Sequence, residues 1–89
     1  MKADREQISR LVRTARGQLD GILRMVEEDR YCMDISTQLS AAEAILRRAN
    51  REILRAHMKC CVQEAMEDGQ GDEKIDELVE LIDKMTRQG

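Results

Sequence analysis

From Cys32 to Cys61 the chain reads CMDISTQLSAAEAILRRANREILRAHMKCC, with no glycine and no proline anywhere in the stretch. Ile35, Leu39, Ala42, Ile45, Leu46, Ala49, Ile53 and Ala56 recur at intervals of three and four, the repeat of one helix face. One continuous helix is the natural reading. His57 and Cys61 then sit one turn apart on the same face, where they can close on a single ion. Cys32 lies 25 residues before His57, roughly 37 Å along a helix, whereas a metal holds its ligands within about 2.0 to 2.3 Å. The three cannot meet in one chain. Two copies of the helix packed antiparallel would bring Cys32 of one beside His57 and Cys61 of the other, crossing near Ala44 to Leu46. Ala41, Ala42, Ala44 and Ala49 flank that point, and side chains this small are expected to let two backbones approach closely at a two-fold axis. Singly, each Cys would read as a buried thiol and the His as an ordinary imidazole; the spacing of the trio points to a metal site.

Working outward, 89 residues make one small domain whose core is marginal unless an oligomer extends it. Tyr31 is the only aromatic, so the core must be Leu, Ile, Val, Met and Ala, which suits helix-on-helix packing. The fold is expected to be all-α, a three-helix subunit with a long central helix forming an antiparallel helical-bundle dimer. The first helix is expected over about 5–28: Ile8, Leu11, Val12, Ala15, Leu19, Ile22, Leu23 and Val26 form its stripe and Asp4 caps it. Gly17 and Gly21 share a face in it, which suggests a close helix contact. A turn at Glu28-Asp29-Arg30-Tyr31 leads into the second helix, about 33–67, capped by Asp34 or Ser36. Gly69-Gln70-Gly71 ends it, and Asp72 caps a third helix over about 72–87 with Ile75, Leu78, Val79, Leu81, Ile82 and Met85 on its apolar face.

The net charge of −3 hides a split: residues 1–61 carry twelve Lys and Arg against nine Asp and Glu, and residues 62–89 carry three against nine. The basic part is the candidate nucleic-acid face. Arg10, Arg13 and Arg16, and Arg47, Arg48, Arg51 and Arg55, fall on helical spacings, and the planar guanidinium fork suits phosphate. Taken alone, such a face reads equally well as a solvated surface, and no helix-turn-helix or zinc-finger pattern specifies base readout. A single His with no neighbouring acid gives no hydrolytic arrangement, so no catalytic residues and no small-molecule substrate are expected and the chain is not read as an enzyme. Three cysteines, two of them adjacent, do not suit a disulfide scaffold. With no leader-like or membrane-spanning apolar run, a reducing cytoplasm and no membrane partner are expected.

Two thiolates and one imidazole are a soft donor set. Three ligands without an obvious fourth suit Cu(I) better than Zn(II), and one His is too little nitrogen for nickel or cobalt. Cys60 adjoins Cys61, but neighbouring side chains diverge by about 100° on a helix, so it reads as a bystander to the ion.

At these residues the chain resembles the CsoR/RcnR family of bacterial metal-sensing repressors, and within it the copper-sensing CsoR type. Arg16-Gly17-Gln18-Leu19-Asp20-Gly21-Ile22 and Met25-Val26-Glu27-Glu28-Asp29-Arg30-Tyr31-Cys32 resemble the family's first-helix signature, and Arg48-Ala49-Asn50-Arg51 its second. Cys32, His57 and Cys61 match the copper sensors' ligand set. The resemblance implies a homodimer that pairs into a homotetramer, a dimer of dimers, and operator DNA released when Cu(I) binds, so that copper-resistance genes are derepressed. It implies that Tyr31 and Glu77 surround the ligand His, where a hydrogen bond to its free nitrogen would fix the ring and tie the third helix to the metal. For DNA contacts it points to Arg48 first, then to Arg10, Arg13 and Arg16, with Arg51 on the same basic helix face. The family's nickel and cobalt sensors add an N-terminal His and its formaldehyde sensors an N-terminal Pro, both absent here; its persulfide sensors lack the His. The remaining alternatives are a thiol-oxidation or persulfide sensor coupling Cys32 to Cys61, with Cys60 of unassigned role, and a cytosolic copper buffer.

Overall fold

The computed structural model describes residues 1–69 and 71–88 and contains three α-helices: α1 (Arg5–Glu27), α2 (Cys32–Asp68) and α3 (Gly71–Gln88). Helix α1 starts where Asp4 stops the extended backbone and its carboxylate accepts from the Glu6 N–H at 3.0 Å and the Gln7 N–H at 3.5 Å. Those are two of the four donors a helix start leaves unpaired. Its end is a Schellman turn: Asp29 N–H donates to Val26 O at 3.1 Å and Arg30 N–H to Met25 O at 3.0 Å. Asp29 takes the left-handed conformation this turn requires, with φ 54° and no glycine to supply it.

Helix α2 begins one residue before the expected start and without the expected side-chain cap. Tyr31 occupies the cap position, its carbonyl accepting from the Asp34 and Ile35 N–H groups at 3.0 and 3.2 Å. Asp34 sits in the first turn, where its charge complements the helix dipole, and Ser36 lies deeper in the helix. The helix runs 37 residues, about 55 Å, to Gly69, whose φ of 72° closes it with a bond from its N–H to Ala65 O. Helix α3 starts at Gly71, which puts Asp72 in its first turn and not at its cap; Gln70 lies outside the described residues.

Ile8, Ala15 and Ile22, seven apart, are the buried face of α1, and Ala42 and Ala49, also seven apart, are buried on α2. This seven-residue repeat is the seam of two helices packed side by side. Lys2, just before α1, stands 3.5 Å from Glu64 on α2, a half-exposed ion pair that adds little stability. Helix α3 folds back over the far end of α2, where Cys61 and Ala65 are buried. Among the described residues it packs on α2 and makes no contact with α1. Two sequence expectations change here. Ala42 and Ala49 are used inside the subunit, so they are not free for a two-fold crossing. Gly17 and Gly21 make no close helix contact within the subunit: a methyl at Gly17 would meet open space, and at Gly21 only the Arg24 guanidinium at 4.0 Å.

The result is a single layer of helices, 58 × 28 × 12 Å in Cα extents. Its accessible surface is 7127 Å², against about 5,400 Å² for a compact protein of its 10.3 kDa. Large apolar side chains contribute to that surface, with Leu19, Leu23, Val26, Leu39 and Leu46 all exposed. Among the described residues, no helix is long and apolar enough to cross a membrane.

Candidate metal centre

His57 and Cys61 stand four positions apart on α2, about one helical turn, and the structure places His57 Nε2 3.3 Å from Cys61 Sγ. Cys61 is buried under α3, whereas His57 is half-buried. Helix α3 brings Glu77 to the same point, its Oε1 4.0 Å from His57 Nε2. One ligand atom from each of His57, Cys61 and Glu77 lies within 4.8 Å of the others. The Nε2 edge of the imidazole therefore faces both a thiol and a carboxylate. The Gly69 turn makes this possible, because it reverses the chain so that a residue twenty positions on from His57 lies beside it.

Cys32 and Tyr31 are elsewhere. Cys32 is the first residue of α2 and exposed, and because α2 is unbroken it stands roughly 37 Å from His57. Tyr31 caps that same end and is 65% exposed. Within one subunit, then, the structure joins His57, Cys61 and Glu77 and leaves Cys32 and Tyr31 apart. Cys60 is half-buried and next to Cys61 but is not part of the cluster. Glu77 was legible only through family resemblance, since nothing in the acidic run of α3 singles it out from Asp76 or Glu80.

Arg10, Arg13 and Arg16 on α1 and Arg48 and Arg51 on α2 are all exposed. Arg10 and Arg13 line a shallow groove with Arg5, Glu6, Ser9 and Thr14, on the side of α1 away from its buried stripe. Among the described residues none of the five is ion-paired, whereas Arg47 is held by Glu43 at 3.6 Å. Their forks are open to an external anion.

Residues 4–84 match the family described as metal-sensitive transcriptional repressor. The copper-sensing transcriptional repressor CsoR of Mycobacterium ulcerans is 49% identical over 78 residues, covering 88% of this chain and 66% of that protein. The chain thus spans just under two thirds of that relative's length. The crystal structure of the copper-sensing repressor CsoR with Cu(I) from Geobacillus thermodenitrificans superposes with a TM-score of 0.81 at 36% identity, covering 91% of this chain and 84% of that one. The nickel-responsive transcriptional regulator InrS superposes with a TM-score of 0.84 at 27% identity, covering 96% of both chains. The chain belongs to the metal-sensitive transcriptional repressor family.

Proposed function

We propose that this chain is a Cu(I)-responsive repressor that acts in the cytoplasm: its metal-free form binds operator DNA, and Cu(I) lowers that affinity and derepresses copper-resistance genes. The observation that carries the reading is the split ligand set. His57 Nε2 and Cys61 Sγ stand 3.3 Å apart at one end of an unbroken helix, and Cys32 is exposed at the other. A second copy packed antiparallel lays the partner's Cys32 beside His57 and Cys61, completing two sulfurs and one nitrogen. That donor set fits Cu(I), which accepts soft three-coordinate ligation. When bound, Cu(I) supplies a cross-link between the two subunits. Glu77 and the partner's Tyr31 would hold the imidazole nitrogen not used for ligation, fixing the ring and tying α3 to the site.

The shape of the subunit supports the second copy. Cys32, Leu39, Leu46 and Ile53 recur every seven residues along α2, and Leu39 and Leu46 are 42% and 45% exposed. Leu46 lies 14 residues after Cys32 and 15 before Cys61, so a two-fold axis beside it superposes the two halves of the site. Val12, Leu19, Leu23 and Val26 leave α1 a further exposed apolar stripe, which suits pairing of dimers into a homotetramer. Arg10, Arg13, Arg16, Arg48 and Arg51 supply the DNA contacts. Metal and DNA then weaken each other by the same factor.

Anaerobic titration of Cu(I) into reduced protein against a competing chelator, with X-ray absorption and operator anisotropy read in parallel, tests this. One Cu(I) per subunit with two sulfurs, one nitrogen and DNA release is the expected result. Sulfur-only ligation, with DNA released by persulfide or oxidant and not by copper, would replace the reading with a thiol-oxidation sensor. Tight Cu(I) binding with no salt-dependent operator preference would leave a copper buffer.

A further inference from the structure

The cluster at the α2–α3 junction contains a ligand that the copper reading does not use as one. His57 Nε2, Cys61 Sγ and Glu77 Oε1 come from one subunit and already stand 3.3 Å (N to S) and 4.0 Å (N to O) apart, with all three atoms within 4.8 Å of one another. A tetrahedral Zn(II) with bonds of about 2.0 to 2.3 Å holds its ligand atoms roughly 3.3 to 3.6 Å from one another. The nitrogen and sulfur are at that separation, and the carboxylate needs to close by about 0.7 Å toward the nitrogen and by up to about 1.5 Å toward the sulfur, from separations of 4.0 Å and at most 4.8 Å. We propose that His57, Cys61 and Glu77 form an intrasubunit Zn(II) site, distinct from the Cu(I) site in that Glu77 replaces Cys32 as the third ligand.

Donor chemistry sorts the two metals. A carboxylate oxygen is a hard donor that Zn(II) accepts and Cu(I) disfavours, while a second thiolate favours Cu(I). Charge does not separate the two ligand sets, since each offers two anionic donors and Zn(II) is neutral as a unit in either; the distinction rests on donor hardness and on which groups one subunit already brings together. Binding releases the Cys61 thiol proton, as any thiolate ligation does. Glu77 is about half-exposed, at 47% of its side chain, so water has access to the fourth tetrahedral position. Because all three protein ligands belong to one subunit, Zn(II) leaves the partner's Cys32 uncoordinated and makes no cross-link between subunits. The same His and Cys thus answer two metals differently, according to which third ligand each recruits.

The test is a crossover between metals and variants of the full-length reduced chain. Zn(II) affinity is measured by competition with a chromophoric chelator for the unsubstituted protein, Cys32→Ala, Glu77→Gln and Cys61→Ala. Circular dichroism checks that each variant keeps its helix content. Cys32→Ala is expected to leave Zn(II) affinity within about threefold, and Glu77→Gln to weaken it by about tenfold or more, with the order reversed for Cu(I). Alkylation read by mass spectrometry is the second measurement. Zn(II) should slow modification of Cys61 and leave the Cys32 rate at its metal-free value. If Zn(II) protects Cys32, or if Cys32→Ala loses zinc as fully as Cys61→Ala, zinc uses the intersubunit set and the proposal is wrong. Either outcome leaves the copper reading standing, since that is decided by Cu(I) binding to Cys32→Ala.

Discussion

A single imidazole edge carries the chemistry of this subunit. His57 Nε2 is hydrogen-bonded with Cys61 Sγ and also faces Glu77, so the nitrogen best placed to ligate is the one nearest the carboxylate. Ligation through one nitrogen and a Glu77 bond through the other require the ring to turn or α3 to shift, and either motion would pass metal occupancy to the third helix. His57→Ala is therefore expected to keep Cu(I) on two thiolates while losing most of a metal–DNA coupling that in such systems is about 5- to 150-fold. Anisotropy of labelled operator with and without Cu(I) reads this directly, and normal release from the variant would sink the switch. Arg48 is exposed and unpaired among the described residues, so Arg48→Ala should weaken operator binding and flatten the salt dependence by about 0.9 in log–log slope for one lost phosphate contact. An unchanged slope would remove Arg48 from the DNA face.

At the scale of elements, the two turns solve the same problem with different residues. Gly69 at φ 72° and Asp29 at φ 54° both end a helix in the left-handed region, which penalises any residue with a Cβ. Gly69→Ala should cost about 1 kcal/mol, whereas Asp29→Gly should be neutral or stabilising, because it relieves strain at the loss of some chain stiffness. Urea unfolding at one fixed protein concentration compares them, and equal signs would contradict the strain argument. The Asp4 cap and the Gly69 stop were legible because a short polar side chain before a periodic stripe, and a glycine after one, are local signals. The start of α2 was not. Asp34 and Ser36 look like caps, but the Schellman turn at Asp29 and the Tyr31 carbonyl already satisfy the backbone upstream of them.

As a whole molecule, the subunit exposes about a third more surface than a compact chain of its mass, and Leu39 and Leu46 stand exposed one heptad apart on its longest helix. Leu46→Asp, at the midpoint of that stripe, should shift sedimentation toward the monomer and weaken Cu(I) by removing the partner's Cys32. It should spare Zn(II) binding at His57, Cys61 and Glu77. A variant that stays oligomeric and keeps full copper affinity would place the interface elsewhere.

The helical class, the long central rod and the impossibility of joining Cys32 to His57 in one chain follow from the order of residues, because rise per residue and the absence of Gly and Pro between them are properties of the chain alone. That order also marked His57 and Cys61 as neighbours, since helical spacing is local. How the alanines are used and which acid meets the imidazole depend on helix packing. Ala42 and Ala49 are buried in the subunit seam and not held for a two-fold, a choice that depends on where α1 packs. Glu77 reaches His57, and not Asp76 or Glu80, because the reversal at Gly69 and the packing angle of α3 set that register, and neither is encoded in the spacing of any one segment.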